Sequence, residues 1–214
     1  MSTTILLIRH GETAWNAERR LQGHIDIALN GAGLRQAEAL GRALAGDALA
    51  AIIASDLQRA RQTAQALAGH HRVPVQTDSG LRERCYGAFE GMCYADIAQR
   101  YPLEYAQWQA RDIDAVMPAG TRVAESFRQF HQRSIAAIAR WAGAYTGQSI
   151  AIVAHGGVLE CAYRAACGMA LDVPRDFPVN NASVNRFVFS DGKLSLKDWG
   201  DIAHLSGPVF DELS

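Results

Sequence analysis

Two apolar runs in this sequence end on a histidine that is followed by glycine. Residues 3–10, TTILLIRH, lead into Gly11, and residues 149–155, SIAIVAH, lead into Gly156 and Gly157. A run of that kind, with no polar alternation, reads as a strand covered on both faces. In sheets of such strands ligands bind beyond the carboxyl ends, where helix N-termini aim their free N–H groups. A third run, AAIIASD at residues 50–56, leads to Arg59. Together the three ends deliver Arg9, His10, Arg59 and His155 to one crevice. Taken singly, such an arginine is a solvated charge and such a histidine a hydrogen-bonded one. The repeated His-Gly beside two arginines instead points to a site for a compact dianion, most simply a phosphoryl group. Cations nearby keep an imidazole neutral, the form in which it is a nucleophile.

The elements that must position these residues alternate along the chain. Asn30 is placed to cap a helix whose Leu34, Ala37, Leu40 and Leu44 recur at helical intervals. Ser55 or Asp56 is expected to cap a second helix, with Leu57, Ala60, Ala64 and Leu67 on one face. VPVQTDSGL (73–81) is extended, and Pro74 suits the edge of a sheet. From Gly91 to Arg122 the pattern loosens into aromatic residues, charges and prolines, which predicts an inserted helical segment lying over the site. A long helix follows, with Phe127, Phe130, Ile135, Ile138 and Trp141 inward, and after His155 another helix is expected from about Val158. VNRFVFSDGKLSLKDWG (184–200) alternates on either side of Asp191-Gly192, a hairpin signal. The predicted fold is α/β: a three-layer αβα sandwich with a mostly parallel central sheet, a C-terminal β-hairpin and a short helical insert over the site. Residues 1–214 are read as a single domain, with 91–122 as a lid.

Composition bounds the partners. The chain has 214 residues and a net charge of -1, so nothing draws it generally to nucleic acid or to an anionic membrane, and a bound anion must be held by local charge. No run is long enough to span a bilayer, and no leader is expected. Cys85, Cys93, Cys161 and Cys167 lack metal-site spacing and read as reduced thiols of a cytoplasmic protein. Carboxylate clusters are absent and His70 and His71 point different ways, so no metal and no cofactor is expected.

Four segments then carry a resemblance. LLIRHGETAWN (6–16), SDLQRARQTA (55–64), LRERCYGAFEG (81–91) and VAHGG (153–157) resemble, in order, the signature, second-arginine, acid and second-histidine segments of the histidine phosphatase superfamily, which includes cofactor-dependent phosphoglycerate mutase. The resemblance implies that His10 becomes a phosphohistidine. It implies that Arg9, Arg59 and His155 bind the phosphoryl oxygens, and that Glu83 gives a proton to the departing oxygen and later takes one from water. Asn16, Gln22, Gly23 and the Gly156 backbone are expected around the phosphate. Relatives often pair through sheet edges or helices, so the resemblance leaves a homodimer open, and the sequence does not fix the oligomeric state.

Where mutases carry a lysine and an arginine pair, this chain has Tyr94, then Gln109 and Ala110, with Arg111 further on; a mutase histidine is matched by Cys85. Those departures, and the phosphatase-like Glu90-Gly91, favour hydrolysis of small phosphate monoesters. Mutase chemistry and a non-catalytic phospho-ligand binding module stand as the alternatives. Phosphoglycerate derivatives, phosphoserine, sugar phosphates and α-ribazole phosphate all suit the reading. Tyr94, Tyr101 and Trp108 either meet an organic leaving group or form the insert's own core. His24 is within reach of substrate, His131 and His204 are structural or solvated, and Arg82 and Arg84 are read as exposed charges.

Overall fold

A computed structural model describes residues 1–207, 210 and 211. Its elements run β1 (Thr3–Arg9), α1 (Ala14–Ala17), α2 (Gly31–Ala43), β2 (Ala51–Ala54), α3 (Gln58–Ala68), β3 (Val75–Thr77), α4 (Tyr94–Arg100) and α5 (Pro102–Gln109). There follow α6 (Phe127–Ala144), β4 (Ser149–Ala154), α7 (Gly156–Cys167), β5 (Val184–Ser190) and β6 (Lys193–Asp201). The strands form one six-stranded sheet in the order β3-β2-β4-β1-β5-β6. The pairs β3–β2, β2–β4 and β4–β1 are parallel, and β5 and β6 complete the sheet as an antiparallel hairpin.

Alternation along a strand sends successive side chains to opposite faces, and β1 shows why its run is continuously apolar. Ile5 and Leu7 enter a core with Ile53, Ile150 and Ile152, beneath Phe130 and Ile138 of α6 and Val158 and Leu159 of α7. Leu6 and Ile8 enter a second core with Ile52 and Val153, beneath Leu40 of α2 and Ala60, Ala64 and Leu67 of α3. The predicted three layers are therefore present. Leu34 departs from its expected place and is exposed. The Gly91–Arg122 segment carries a third core of its own: Leu21, Phe89, Ile97, Met117 and Ala124 pack with Tyr94, Tyr101, Tyr105 and Trp108. Tyr94 and Trp108 stack at 5.7 Å between ring centroids. Among the described residues no helix is long and apolar enough to cross a membrane, and the four cysteines are free thiols.

The helix caps divide. Asn30 caps α2 as expected, its side chain accepting from the Gly33 N–H at 2.8 Å. Neither Ser55 nor Asp56 caps α3, whose N-cap position is Leu57. Asp56 instead takes both ends of the Arg82 guanidinium, at 2.7 and 2.6 Å. The first N–H of α3, that of Gln58, donates across the fold to Asp26 at 2.6 Å. A remote loop has replaced the local cap, and it steadies the helix that carries Arg59. Asp26→Ala should therefore lower the free energy of unfolding by about 1 kcal/mol, the usual worth of a lost cap. Urea titration at neutral pH measures it, and an unchanged midpoint would show that water serves Gln58 equally well.

Candidate active site

The register of β1 against β4 builds the centre of the site. Arg9 lies opposite Ala154, so one residue further along the two parallel strands His10 and His155 emerge side by side. Their ring centroids are 5.2 Å apart, and both residues are buried. The main chain of His10 is gripped on both sides. Its N–H donates to Ala154 O at 3.0 Å, and its carbonyl accepts from the Asn181 side chain at 3.0 Å and from the Ala182 N–H at 3.2 Å.

The ring of His10 is oriented by a contact at 2.7 Å between Nδ1 and the carbonyl oxygen of Gly11. A carbonyl only accepts, so Nδ1 carries the proton and Nε2 keeps a free lone pair. Burial pushes the His10 imidazolium well down in pKa, and the charges of Arg59 and Arg9 push it further; the Gly11 hydrogen bond opposes them without prevailing. His155 is held well below the ordinary imidazole range by burial first, then by Arg59, His10, His24 and Arg9. Neither of its ring nitrogens has a hydrogen-bond partner among the described residues.

The two arginines are aimed by main-chain carbonyls. Arg9 donates through Nη1 to Val179 O and to Phe210 O. Arg59, in the first turn of α3, donates to Ile25 O at 3.0 Å and to Gly23 O at 2.8 Å. That hold ties the Gln22-Gly23 loop to the site. Gly23 has φ +53°, and a Cβ there would lie 2.2 Å from the Glu90 carboxylate, so only glycine fits. Glu90 in turn accepts from the His24 N–H and the Tyr86 N–H.

Glu83 arrives from the irregular segment after the Ser79–Leu81 turn. Its Oε1 accepts from the Arg84 N–H at 2.8 Å and its Oε2 from the Gly157 N–H at 3.0 Å. A Cβ on Gly157 would stand 2.3 Å from that carboxylate and 2.8 Å from the Phe130 ring. The second glycine of VAHGG is thus what lets an acid approach the second histidine. It also explains why α7 starts at Gly156 and not near Val158: the close approach selects glycine at the first turn despite its poor helix propensity.

Not every expected residue joins the centre. Gln22 is buried in the loop that follows α1, and Gly156 is the first residue of α7. Asn16 instead gives its side chain to Thr13, accepting from the Thr13 N–H and hydroxyl at 3.0 Å each in a capping box. It shares with Gln22 the wall of a small cavity. His24 turns to the main chain of Glu83, its Nε2 donating to that carbonyl at 2.8 Å. Arg84 is not the exposed charge expected of it: it is buried, donating to Glu125 O and Ala115 O. Nothing local singles out Asn181, Arg133 or Glu125, which lie in polar stretches or on a helix face without a motif of their own. Among the described residues no group of three or more histidine, cysteine or carboxylate side chains is arranged to hold a metal ion.

Beside Gly157 and Phe130 opens a cavity of about 130 Å³, walled by Arg84, Tyr86, Tyr94, Trp108 and Phe127 among others. Through Tyr94, Trp108, Arg111 and Arg175 it borders a wider outer cleft of about 640 Å³. A buried neutral imidazole, two convergent guanidinium groups and a carboxyl group bonded to Gly157, which itself lines that cavity, can together bind a phosphate monoester and exchange its phosphoryl group.

Known proteins of this shape agree. The chain is 37% identical to phosphoglycerate mutase-like protein 4 of Arabidopsis thaliana over 209 residues, 96% of this chain and 88% of that protein. It is 35% identical to a metal-independent phosphoserine phosphatase of the same plant over 215 residues, 97% and 85% of the two chains. The solved structure of Bacillus stearothermophilus YhfR superposes with a TM-score of 0.86 at 34% identity, covering 94% of this chain and 98% of that one. Residues 5–202 match the family model described as the histidine phosphatase superfamily, branch 1, and the chain belongs to that superfamily.

Proposed function

We propose that this protein hydrolyses small phosphate monoesters through a phosphohistidine on His10. The observation that carries the reading is the state of that residue: a neutral imidazole, proton fixed on Nδ1 by Gly11 O, with Arg9, Arg59 and His155 around it. In the first half-reaction Nε2 forms the bond to phosphorus as the ester oxygen leaves. Arg9, Arg59 and His155 take up the phosphoryl oxygens and the charge that builds on them. Glu83 gives its proton to the leaving oxygen, and in the second half-reaction receives one from the attacking water. A bound dianion close by favours the protonated form of Glu83 that the first step needs.

The surroundings support water as the acceptor. Tyr94, at the position that matches the mutase lysine, stacks on Trp108, and Arg111 is paired to Glu160 at 2.6 Å. Arg84 has no carboxylate partner within salt-bridge distance among the described residues, and it lines the cavity beside Gly157. That charge suits a leaving group with a carboxylate, such as phosphoserine or phosphoglycerate; one relative bears the name phosphoserine phosphatase.

Phosphate release from a panel of esters in EDTA tests the reading, with 3-phosphoglycerate plus 2,3-bisphosphoglycerate included. Release from the parent and none from His10→Ala is expected, with phosphoenzyme trapped only in the parent. Isomerisation without release would make the protein a mutase, and silence across the panel a binding module. Glu83→Gln should lower kcat/KM for alcohol-type esters by roughly 10²–10⁴-fold, the usual worth of a positioned acid. It should spare p-nitrophenyl phosphate, whose leaving group needs no proton; equal losses would remove Glu83 from the donor role. Stability carries a further signature. Because the native imidazoles of His10 and His155 resist protonation, below pH of about 6.5 the unfolded chain binds protons that the native state refuses. Stability is complete above that pH and falls as acid is added, and His155→Gln should flatten the fall in melting temperature. A variant as acid-sensitive as the parent would contradict the buried neutral state.

A further inference from the structure

The segment that carries Glu83 has no regular structure beyond its turn, yet its backbone is held at nearly every residue by two side chains from elsewhere. Arg133 of α6 donates through Nη1 to Gly80 O and Arg82 O, both at 3.0 Å, and through Nη2 to Glu83 O at 3.2 Å. The same guanidinium meets both oxygens of Glu125, Nε to Oε1 and Nη2 to Oε2, each at 2.7 Å. Glu125 then closes the other end of the segment. Its Oε2 accepts from the Cys85 N–H at 3.0 Å, and its own N–H donates to Cys85 O at 2.9 Å. Its carbonyl accepts from Arg84 Nε at 2.9 Å.

These contacts use the geometry of a guanidinium. Only a planar fork with several fixed donors can reach three carbonyls and a carboxylate at once, and an ammonium is a single point of charge. Burial alone would push Glu125 up in pKa, but the Arg133 hydrogen bonds and charge and the Cys85 N–H outweigh it and keep the carboxyl below its ordinary value. Neither residue lines the cavity beside Gly157.

We propose that Arg133 and Glu125 are positioning residues for proton transfer, clamping residues 80–85 so that the Glu83 carboxyl meets the leaving oxygen. The clamp acts through Glu83 and rests on its reading as proton donor. Because Glu125 directly precedes α6 and ends the stretch that crosses the site, it also couples the placement of that stretch to the placement of the acid.

The test compares kcat/KM for phosphoserine and for p-nitrophenyl phosphate in Arg133→Gln, Arg133→Lys, Glu125→Gln, Glu83→Gln and the double variant Glu83→Gln/Arg133→Gln. Arg133→Gln should slow phosphoserine on the order of 10²-fold, the scale set by a misplaced group, with p-nitrophenyl phosphate nearly unchanged. Arg133→Lys should not restore the loss. The double variant should be no slower on phosphoserine than Glu83→Gln alone, since a residue acting through Glu83 has nothing further to remove. Equal slowing of both esters by Arg133→Gln, or an additive double variant, overturns the proposal. If Arg133→Gln does not fold by circular dichroism, Glu125→Gln replaces it in the same comparison, and equal slowing of both esters by Glu125→Gln overturns the proposal likewise. Equal slowing of both esters by Glu83→Gln itself would show that Glu83 is not the donor, and the clamp would fall with that reading and not on its own account.

Discussion

Arg9 and Arg59 lie buried at the carboxyl end of the sheet, and the site is organised around keeping those two charges there. Removing a guanidinium from water costs several kcal/mol unless polar groups replace its hydration. Val179, Phe210, Gly23 and Ile25 supply those groups from their main-chain carbonyls. The loops that carry these carbonyls are therefore fixed by the charges they serve. Burial first, and then these same charges, hold the imidazoles of His10 and His155 well below their ordinary pKa. The neutral imidazole of His10 thus follows from the same burial in which the two guanidinium charges are stored.

Geometry then does the rest through contacts of main chain with side chain. Parallel register puts the two histidines level, a glycine carbonyl chooses the tautomer of one, and a glycine N–H receives the acid beside the other. Rigid elements contribute the strand ends and helix starts, while the acid and the Gln22-Gly23 loop come from irregular chain. That division explains the density of arginine contacts around the irregular parts: a strand end is placed by its ladder, but a loop has to be tied at each residue.

Much of this is legible in the order of residues. Continuous apolar runs announce β1, β2 and β4 because both faces of those strands are covered, and Asp191-Gly192 announces the hairpin. The four residues that converge on the centre, Arg9, His10, Arg59 and His155, can be read because each stands at or just beyond a strand end, where topology alone decides the neighbours. What stays hidden depends on contacts distant in sequence. Asp26 is 32 residues from the Gln58 N–H it receives, so local capping rules choose the wrong residue. Arg82 and Arg84 flank the acid symmetrically in sequence, yet one meets Asp56 near the surface and the other is buried under Phe127 and Tyr86. Motif alone places Asn16 near the phosphate, but its nearest hydrogen-bonding partner is the turn it caps. The aromatic residues of the Gly91–Arg122 stretch fit either a core or a contact with a leaving group, and Tyr94 and Trp108 pack in the small core while also lining the cavity.

The small third core has a consequence for how such a protein diversifies. Phe89, Ile97 and Met117 satisfy their apolar surface mainly among the insert's own aromatics, apart from the two cores that flank the sheet. Substitutions on the cavity side of that stretch are therefore insulated from the scaffold that stores the buried charges. Gly157, by contrast, tolerates no added carbon. The buried charges and the aromatic wall of the cavity thus belong to different cores of one chain, joined where Glu125 meets the segment of Glu83. Ancestral descent or directed evolution can vary the wall away from that join while the charges stand still.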